Sequence, residues 1–113
     1  MITLWHNPRC AKSRAAQALL EGQDVTLRLY LKDAPGEAEL RAAHALLGGQ
    51  VIDMMRPNEA AFREAGLTRG SSDDALFAAM AAHPILIERP LALSGNRAVI
   101  GRPPEAVLTL LAR

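Results

Sequence analysis

The chain opens on Ile2–Trp5, an apolar run that predicts a first β-strand, and passes into His6-Asn7-Pro8, a loop signal. From Ala11 on, Ala15, Ala18, Leu19 and Leu20 recur at helical spacing. Val25 to Tyr30 alternates and carries β-branched residues, the signature of a second strand. Strand, helix and strand in quick succession predict a βαβ unit with parallel strands. Asp33-Ala34-Pro35-Gly36 then breaks the pattern, and a helix follows through Glu39, Leu40, Ala43, Leu46 and Leu47 until Gly48-Gly49 ends it. Val51 to Met55 predicts a short helical turn, while Asn58–Ala65 and Ser72–Ala82 predict two more helices. Ser71-Ser72-Asp73-Asp74 supplies N-cap candidates for the second, and Pro84 lies just beyond its end. Leu91–Leu93 and Arg97–Ile100 flank Ser94-Gly95-Asn96 and predict a β-hairpin, after which Pro103-Pro104 starts a closing helix over Glu105–Leu111. The expected fold class is α/β: a small mixed four-stranded sheet made of βαβ and ββα halves, with a helical insert over residues 36–83.

Bulk properties narrow the function classes. A chain of 113 residues suits one domain, and an apolar half with nearly balanced charges predicts globular order. The net charge of +1 does not mark a nucleic-acid binder. No charged segment followed by an apolar leader opens the chain, and no apolar run reaches membrane-spanning length, so a cytoplasmic address without membrane partners is expected. A single cysteine excludes an intrachain disulfide framework. Neither a metal site nor a bound cofactor is expected.

That cysteine is the sharpest chemical feature. Cys10 falls in Trp5-His6-Asn7-Pro8-Arg9-Cys10-Ala11-Lys12-Ser13-Arg14, at the predicted N-terminus of the first helix. Unpaired backbone N–H groups and the positive end of the helix dipole favour an anion there, whether the thiolate, a bound oxyanion or both. A helix terminus contributes only ~0.3–1 kcal/mol, up to ~2 in favourable geometry, so keeping a thiol ionised requires a fixed cation as well. Arg9, Lys12 and Arg14 are the local candidates, and His6 joins them if protonated.

A βαβ plus ββα pattern with a cysteine after the first strand resembles the thioredoxin fold. The motifs narrow the resemblance to the ArsC family, the glutaredoxin-coupled arsenate reductases and their relatives, over essentially the whole chain. His6-Asn7-Pro8 through Cys10, with Ser13-Arg14, resembles the family's HNPxCxxSR nucleophile loop. Met55-Arg56 falls where the family has an arginine in its helical insert. Pro84-Ile85-Leu86-Ile87-Glu88-Arg89-Pro90 resembles its HPILxxRP stretch, and Gly101-Arg102-Pro103 its third arginine. Ala11-Lys12 departs from the Gly-Thr of the best-characterised members, and Cys10–Arg14 with Ile100–Glu105 is more similar to the YfgD-like branch.

The resemblance implies a reaction and a set of residues. Cys10 would attack arsenate with loss of water; glutathione would then attack the adduct and glutaredoxin would reduce it, with arsenite released. Arg56, Arg89 and Arg102 would converge on Cys10, their planar forks suited to paired hydrogen bonds with an oxyanion. Ser13 would hydrogen-bond the thiolate or oxyanion, or cap the first turn. Arg14 would stabilise negative charge or face solvent. His6, with Asn7 in the loop beside it, would act on the thiolate by charge or hydrogen bonding, or cap the loop. Pro90 would be the cis-proline of thioredoxin-like sites. The implied partners are arsenate or a similar oxyanion, glutathione as co-substrate, and glutaredoxin. Two other readings compete: a YfgD-like thiol oxidoreductase acting on another oxyanion or a mixed disulfide, and an Spx-like non-catalytic regulator. Spx-type regulators commonly use a CxxC switch, whereas here Ser13 occupies the second position.

Overall fold

The computed structural model describes residues 1–111, which divide into two compact units: Met1–Asp33 together with the chain from Arg89 onward, and Ala34–Glu88 between them. The first unit holds the sheet. Its strands are β1 (Ile2–Trp5), β2 (Val25–Arg28), β3 (Leu91–Ser94) and β4 (Arg97–Ile100), in the order β2-β1-β3-β4. β1 pairs parallel with β2, Ile2 opposite Val25, and antiparallel with β3, Leu4 opposite Ala92. The mixed sheet of a thioredoxin-like fold is therefore present.

Alternation along the strands sends Ile2, Leu4 and Ala92 to one face, where they pack with Ala16 and Leu20 of α1 (Ala11–Leu19 and its cap) and with Val107 and Leu110. Burying the Ile, Leu and Val side chains of this set supplies ~1.5–3 kcal/mol apiece and fixes α1 against the sheet. Cys10, the residue before α1, is thereby held beyond the C-terminal end of β1. Val107 and Leu110 belong to the closing helix (Pro104–Leu111), which winds as a tight 3₁₀ form instead of an α-helix. The hairpin turn is the two residues Gly95-Asn96, with Ser94 paired to Arg97 and Gly95 at φ 58°, as so short a connection requires.

β2 stops two residues earlier than its alternation predicts. After Arg28 the chain folds back: Lys32 and Asp33 both donate their N–H groups to the Leu29 carbonyl at 2.9 Å, and Arg28 Nε donates to the Asp33 carbonyl at 3.0 Å. Tyr30 is buried at the centre of this turn.

The second unit carries α2 (Glu37–Leu47), a 3₁₀ turn (Val51–Met54), α3 (Ala60–Glu64), α4 (Asp73–Ala82) and a second 3₁₀ turn (Pro84–Leu86). α3 is shorter at both ends than the predicted Asn58–Ala65, and the unit extends a few residues beyond the predicted insert on each side. Ser72 caps α4 by accepting the Ala75 N–H at 3.2 Å. Leu40 and Ala43 of α2 join Leu76, Phe77 and Met80 of α4 among the buried residues of this unit. Met55 bridges Ile87 in antiparallel fashion, flanked by hydrogen bonds from Arg56 N to Leu86 O and from Glu88 N to Met54 O, both 2.8 Å. No helix among the described residues is long and apolar enough to cross a membrane.

Candidate active site

The loop between β1 and α1 is held by its own side chains. The Asn7 carbonyl accepts the Cys10 N–H at 3.0 Å, while Asn7 Oδ1 accepts the Arg9 N–H at 3.0 Å. Arg14 Nη1 donates to the Pro8 carbonyl at 2.9 Å and braces the loop from the next turn of α1. Cys10 is the N-cap residue of α1, so the N–H groups of the first turn lie next to the thiol, as its place in the sequence predicts.

Ser13 turns away from that first turn. Its side chain is fully buried, and Oγ accepts the Asn7 N–H at 3.0 Å while lying 2.6 Å from His6 Nδ1. Ser13 Oγ and His6 Nδ1 share one hydrogen bond, whose direction follows the imidazole tautomer. Ser13 therefore neither caps the helix nor touches the sulfur; it ties the loop to the helix through His6. His6 is only 4 % exposed. Burial, and secondarily the Arg14 guanidinium, lower its pKa from the ordinary value of 6.5. It is neutral at pH 7 and serves by hydrogen bonding, not as the cation that the sequence left open.

The cation at the thiol comes from the far end of the chain. Arg102 Nη2 lies 3.9 Å from Cys10 Sγ, and its Nε donates to the Arg89 carbonyl at 2.8 Å. The Arg89–Pro90 and Arg102–Pro103 peptide bonds are both cis, and the Gly101 N–H donates to the Pro90 carbonyl at 2.8 Å. A Cβ at Gly101 would meet Pro90 Cγ at 2.7 Å and Val107 Cγ1 at 3.0 Å, so only glycine lets the two segments approach so closely.

The structure thus brings Cys10, the Arg89 carbonyl, Pro90 and Arg102 together in one unit, with His6, Asn7, Ser13 and Arg14 shaping the loop. Arg56 stands in the other unit, where its Nη1 lies 2.7 Å from Glu59 Oε1 and its Nε 3.7 Å from Glu88 Oε1. Sequence reasoning missed three features: Gly101, the Arg89 carbonyl and the two carboxylates on Arg56. The first and third left a trace, a glycine directly before Arg102-Pro103 and an i,i+3 Arg56–Glu59 spacing. The use of a backbone carbonyl as an anchor left none.

The ArsC family model matches residues 5–110, a span that runs from the end of β1 to the closing helix and contains every residue of this site. The chain belongs to the ArsC family. This ArsC-family protein is 40 % identical over 114 aligned residues to an arsenate reductase of Neisseria meningitidis, covering 97 % of each chain. It is 39 % identical over 114 residues to the uncharacterized protein YfgD of Escherichia coli, covering 97 % of this chain and 96 % of that one. Among solved structures, an arsenate reductase from Vibrio cholerae superposes with a TM-score of 0.91 at 45 % identity, covering 96 % of this chain and 95 % of that chain. As an ArsC-family site, the group contains a lone thiol at a helix N-terminus beside a fixed guanidinium, an arrangement suited to attack on an electrophilic centre that carries oxyanions.

Proposed function

We propose that this protein reduces arsenate to arsenite through the Cys10 thiolate, with an external thiol supplying the electrons. The observation that carries the proposal is the Arg102 guanidinium at 3.9 Å from Cys10 Sγ, anchored by the Arg89 carbonyl. One planar fork is thereby committed to both the thiolate and the position an arsenate oxygen would take. Similarity to curated arsenate reductases supports the substrate.

The steps balance as follows. The Cys10 thiolate attacks arsenic and an arsenic oxygen leaves as water after protonation, giving a sulfur–arsenic(V) bond. A glutathione thiolate attacks Cys10 Sγ; the electron pair of the sulfur–arsenic bond departs with arsenic as arsenite, and a mixed disulfide remains. Glutaredoxin exchanges its own thiolate for Cys10 in that disulfide and frees the enzyme. Arg102 and Arg89 stabilise the oxyanion charge, and the N–H groups of the first turn of α1 add to it. Thiol chemistry with one free cysteine fits a reducing compartment, so we place the protein in the cytoplasm. A glutathione- and glutaredoxin-coupled assay tests the proposal: arsenite formation that is lost in Cys10→Ser supports it, and no turnover with arsenate refutes it. Similarity to YfgD, with Ala11-Lys12 after the cysteine, favours as a second reading a thiol oxidoreductase for another oxyanion or a mixed disulfide, which the same assay with a substrate panel separates.

A further inference from the structure

β2 forms one edge of the sheet. The Ile2 N–H donates to the Asp24 carbonyl at 2.9 Å, and the His6 N–H to the Arg28 carbonyl at 2.8 Å. Backbone groups alternate in direction along a strand, so Thr26 also turns toward β1, while Val25 and Leu27 point their N–H and C=O groups outward. Thr26 and Leu27 are exposed. Neither proline nor lysine, two common guards of a free edge, stands in this strand. Beside the edge runs a groove of about 500 Å³ between α1 and β2. Leu20, Val25 and Leu27 line it, together with Arg14, Gln17 and Glu21 at helical spacing.

We propose that this edge pairs antiparallel with β2 of a second copy of the chain, about a twofold axis through Thr26. The strand complements itself in that register: Thr26 faces Thr26, Val25 faces Leu27, and Asp24 faces Arg28. Val25 and Leu27, the residues that point outward, then exchange both backbone hydrogen bonds in each of their pairs. Charge agrees with the register. Asp24 is exposed and makes no ion pair among the described residues, and the axis sets it opposite a guanidinium. A register centred on Leu27 would draw Leu29 into the ladder, but both lone pairs of its carbonyl already accept, from the Lys32 and Asp33 N–H groups. One centred on Val25 would set Leu27 opposite Gln23 and leave Asp24 facing Thr26. Val25 and Leu27 stand opposite Ile2 and Leu4 and share their face of the sheet, the face of α1. Leu27 of each copy therefore enters the groove of the other. Arg14 and Glu21 mark the two ends of that groove's helical stripe, so reversal by the axis brings unlike charges together.

Sedimentation equilibrium of the whole chain should show a monomer–dimer equilibrium. Asp24→Arg sets like charges opposite each other and should raise the dimer Kd about 5–10-fold, a difference that narrows at high salt. The register is tested by Thr26→Cys in a Cys10→Ser background, which leaves one thiol per chain. Opposed residues of a non-hydrogen-bonded antiparallel pair have Cα atoms about 4.5 Å apart, within reach of a disulfide. Diamide, which takes two electrons and two protons from a pair of thiols, should link these chains into a covalent dimer. Linking should run roughly 10-fold faster than for Arg63→Cys in the same background, whose thiol is exposed in the other unit. A chain that stays monomeric up to about 1 mM overturns the proposal. So does a dimer whose Kd is unmoved by Asp24→Arg, or equal linking of the two cysteine variants. If the chain is monomeric and glutaredoxin slows hydrogen exchange at the Val25 and Leu27 amides, the edge serves a protein donor and the pairing is wrong.

Discussion

Arg102 Nη2 and Cys10 Sγ, separated by 92 positions in the chain, lie 3.9 Å apart, while the Nε of the same guanidinium is bonded to the Arg89 carbonyl. The guanidinium cannot drift without losing a 2.8 Å hydrogen bond, so the charge at the sulfur is preorganised. Arg102→Ala should therefore lower kcat/KM for arsenate by an amount equivalent to ~2–4 kcal/mol, as for loss of a preorganised donor. Alkylation of Cys10 by iodoacetamide at neutral pH should slow as well. Arg102→Lys should recover little of either rate, because an ammonium keeps the charge but loses the rigid fork that sets Nε on the carbonyl and Nη2 at the sulfur. Full recovery by lysine would show that charge alone matters.

Gly101 is the steric condition for that placement. Gly101→Ala forces a methyl group against the Pro90 and Val107 side chains and should cost about 1–3 kcal/mol, as for overpacking a core. Urea unfolding should reveal it as a lower midpoint with an unchanged slope. The same variant should lose activity at temperatures where it remains folded, because Arg102 follows directly in the chain. A variant of wild-type stability would contradict the contact distances.

His6 gives the fold a pH dependence of definite sign. Its folded-state pKa is lowered by burial first and by Arg14 second, so the unfolded chain takes up its proton more readily. The His6 contribution to stability is complete above the unfolded value, about 6.5, and is lost as pH falls through the lower folded value. Urea midpoints measured between neutral and mildly acidic pH should decline for the wild type, and less steeply for His6→Gln. Parallel declines would remove His6 as the cause.

Arg56 already carries two carboxylates, Glu59 at 2.7 Å and Glu88 at 3.7 Å. Those neighbours compete with any anion for the guanidinium. Glu59→Gln should lower the KM for arsenate by roughly 2–5-fold, the scale of a partly exposed ion pair. Arg56→Ala should raise it. If neither variant moves the arsenate KM, Arg56 is a structural residue of its own unit.

A single thiol in the sequence commits the reaction to an outside electron donor. Mixed with arsenate alone, the protein should stall within its first turnover as a Cys10 adduct, before any arsenite is released. Glutathione should convert that adduct to a mixed disulfide of higher mass, and glutaredoxin should then restore the free thiol. Repeated turnover without added thiol would contradict the mechanism.

Local patterning determined much of this protein. The periodicity of Ile2–Trp5 and Ala11–Leu20 placed a thiol at a helix N-terminus because strand and helix formation there depend on near neighbours, and the lone cysteine dictated an external reductant. Boundaries shifted where a local pattern met a longer-range hydrogen bond: β2 ends at Arg28 because Arg28 reaches forward to the Asp33 carbonyl and closes the turn. The roles of individual polar residues were beyond the sequence. Ser13 has the spacing of a cap or an anion ligand, yet burial beside His6 decides that its hydroxyl ties the loop. Which arginine meets the sulfur depends on β3 lying beside β1, on β4 pairing with β3, and on a residue at position 101 small enough to touch Pro90. Such relationships arise when side chains distant in sequence compete for the same space, and only the folded chain sets the distances that settle the competition.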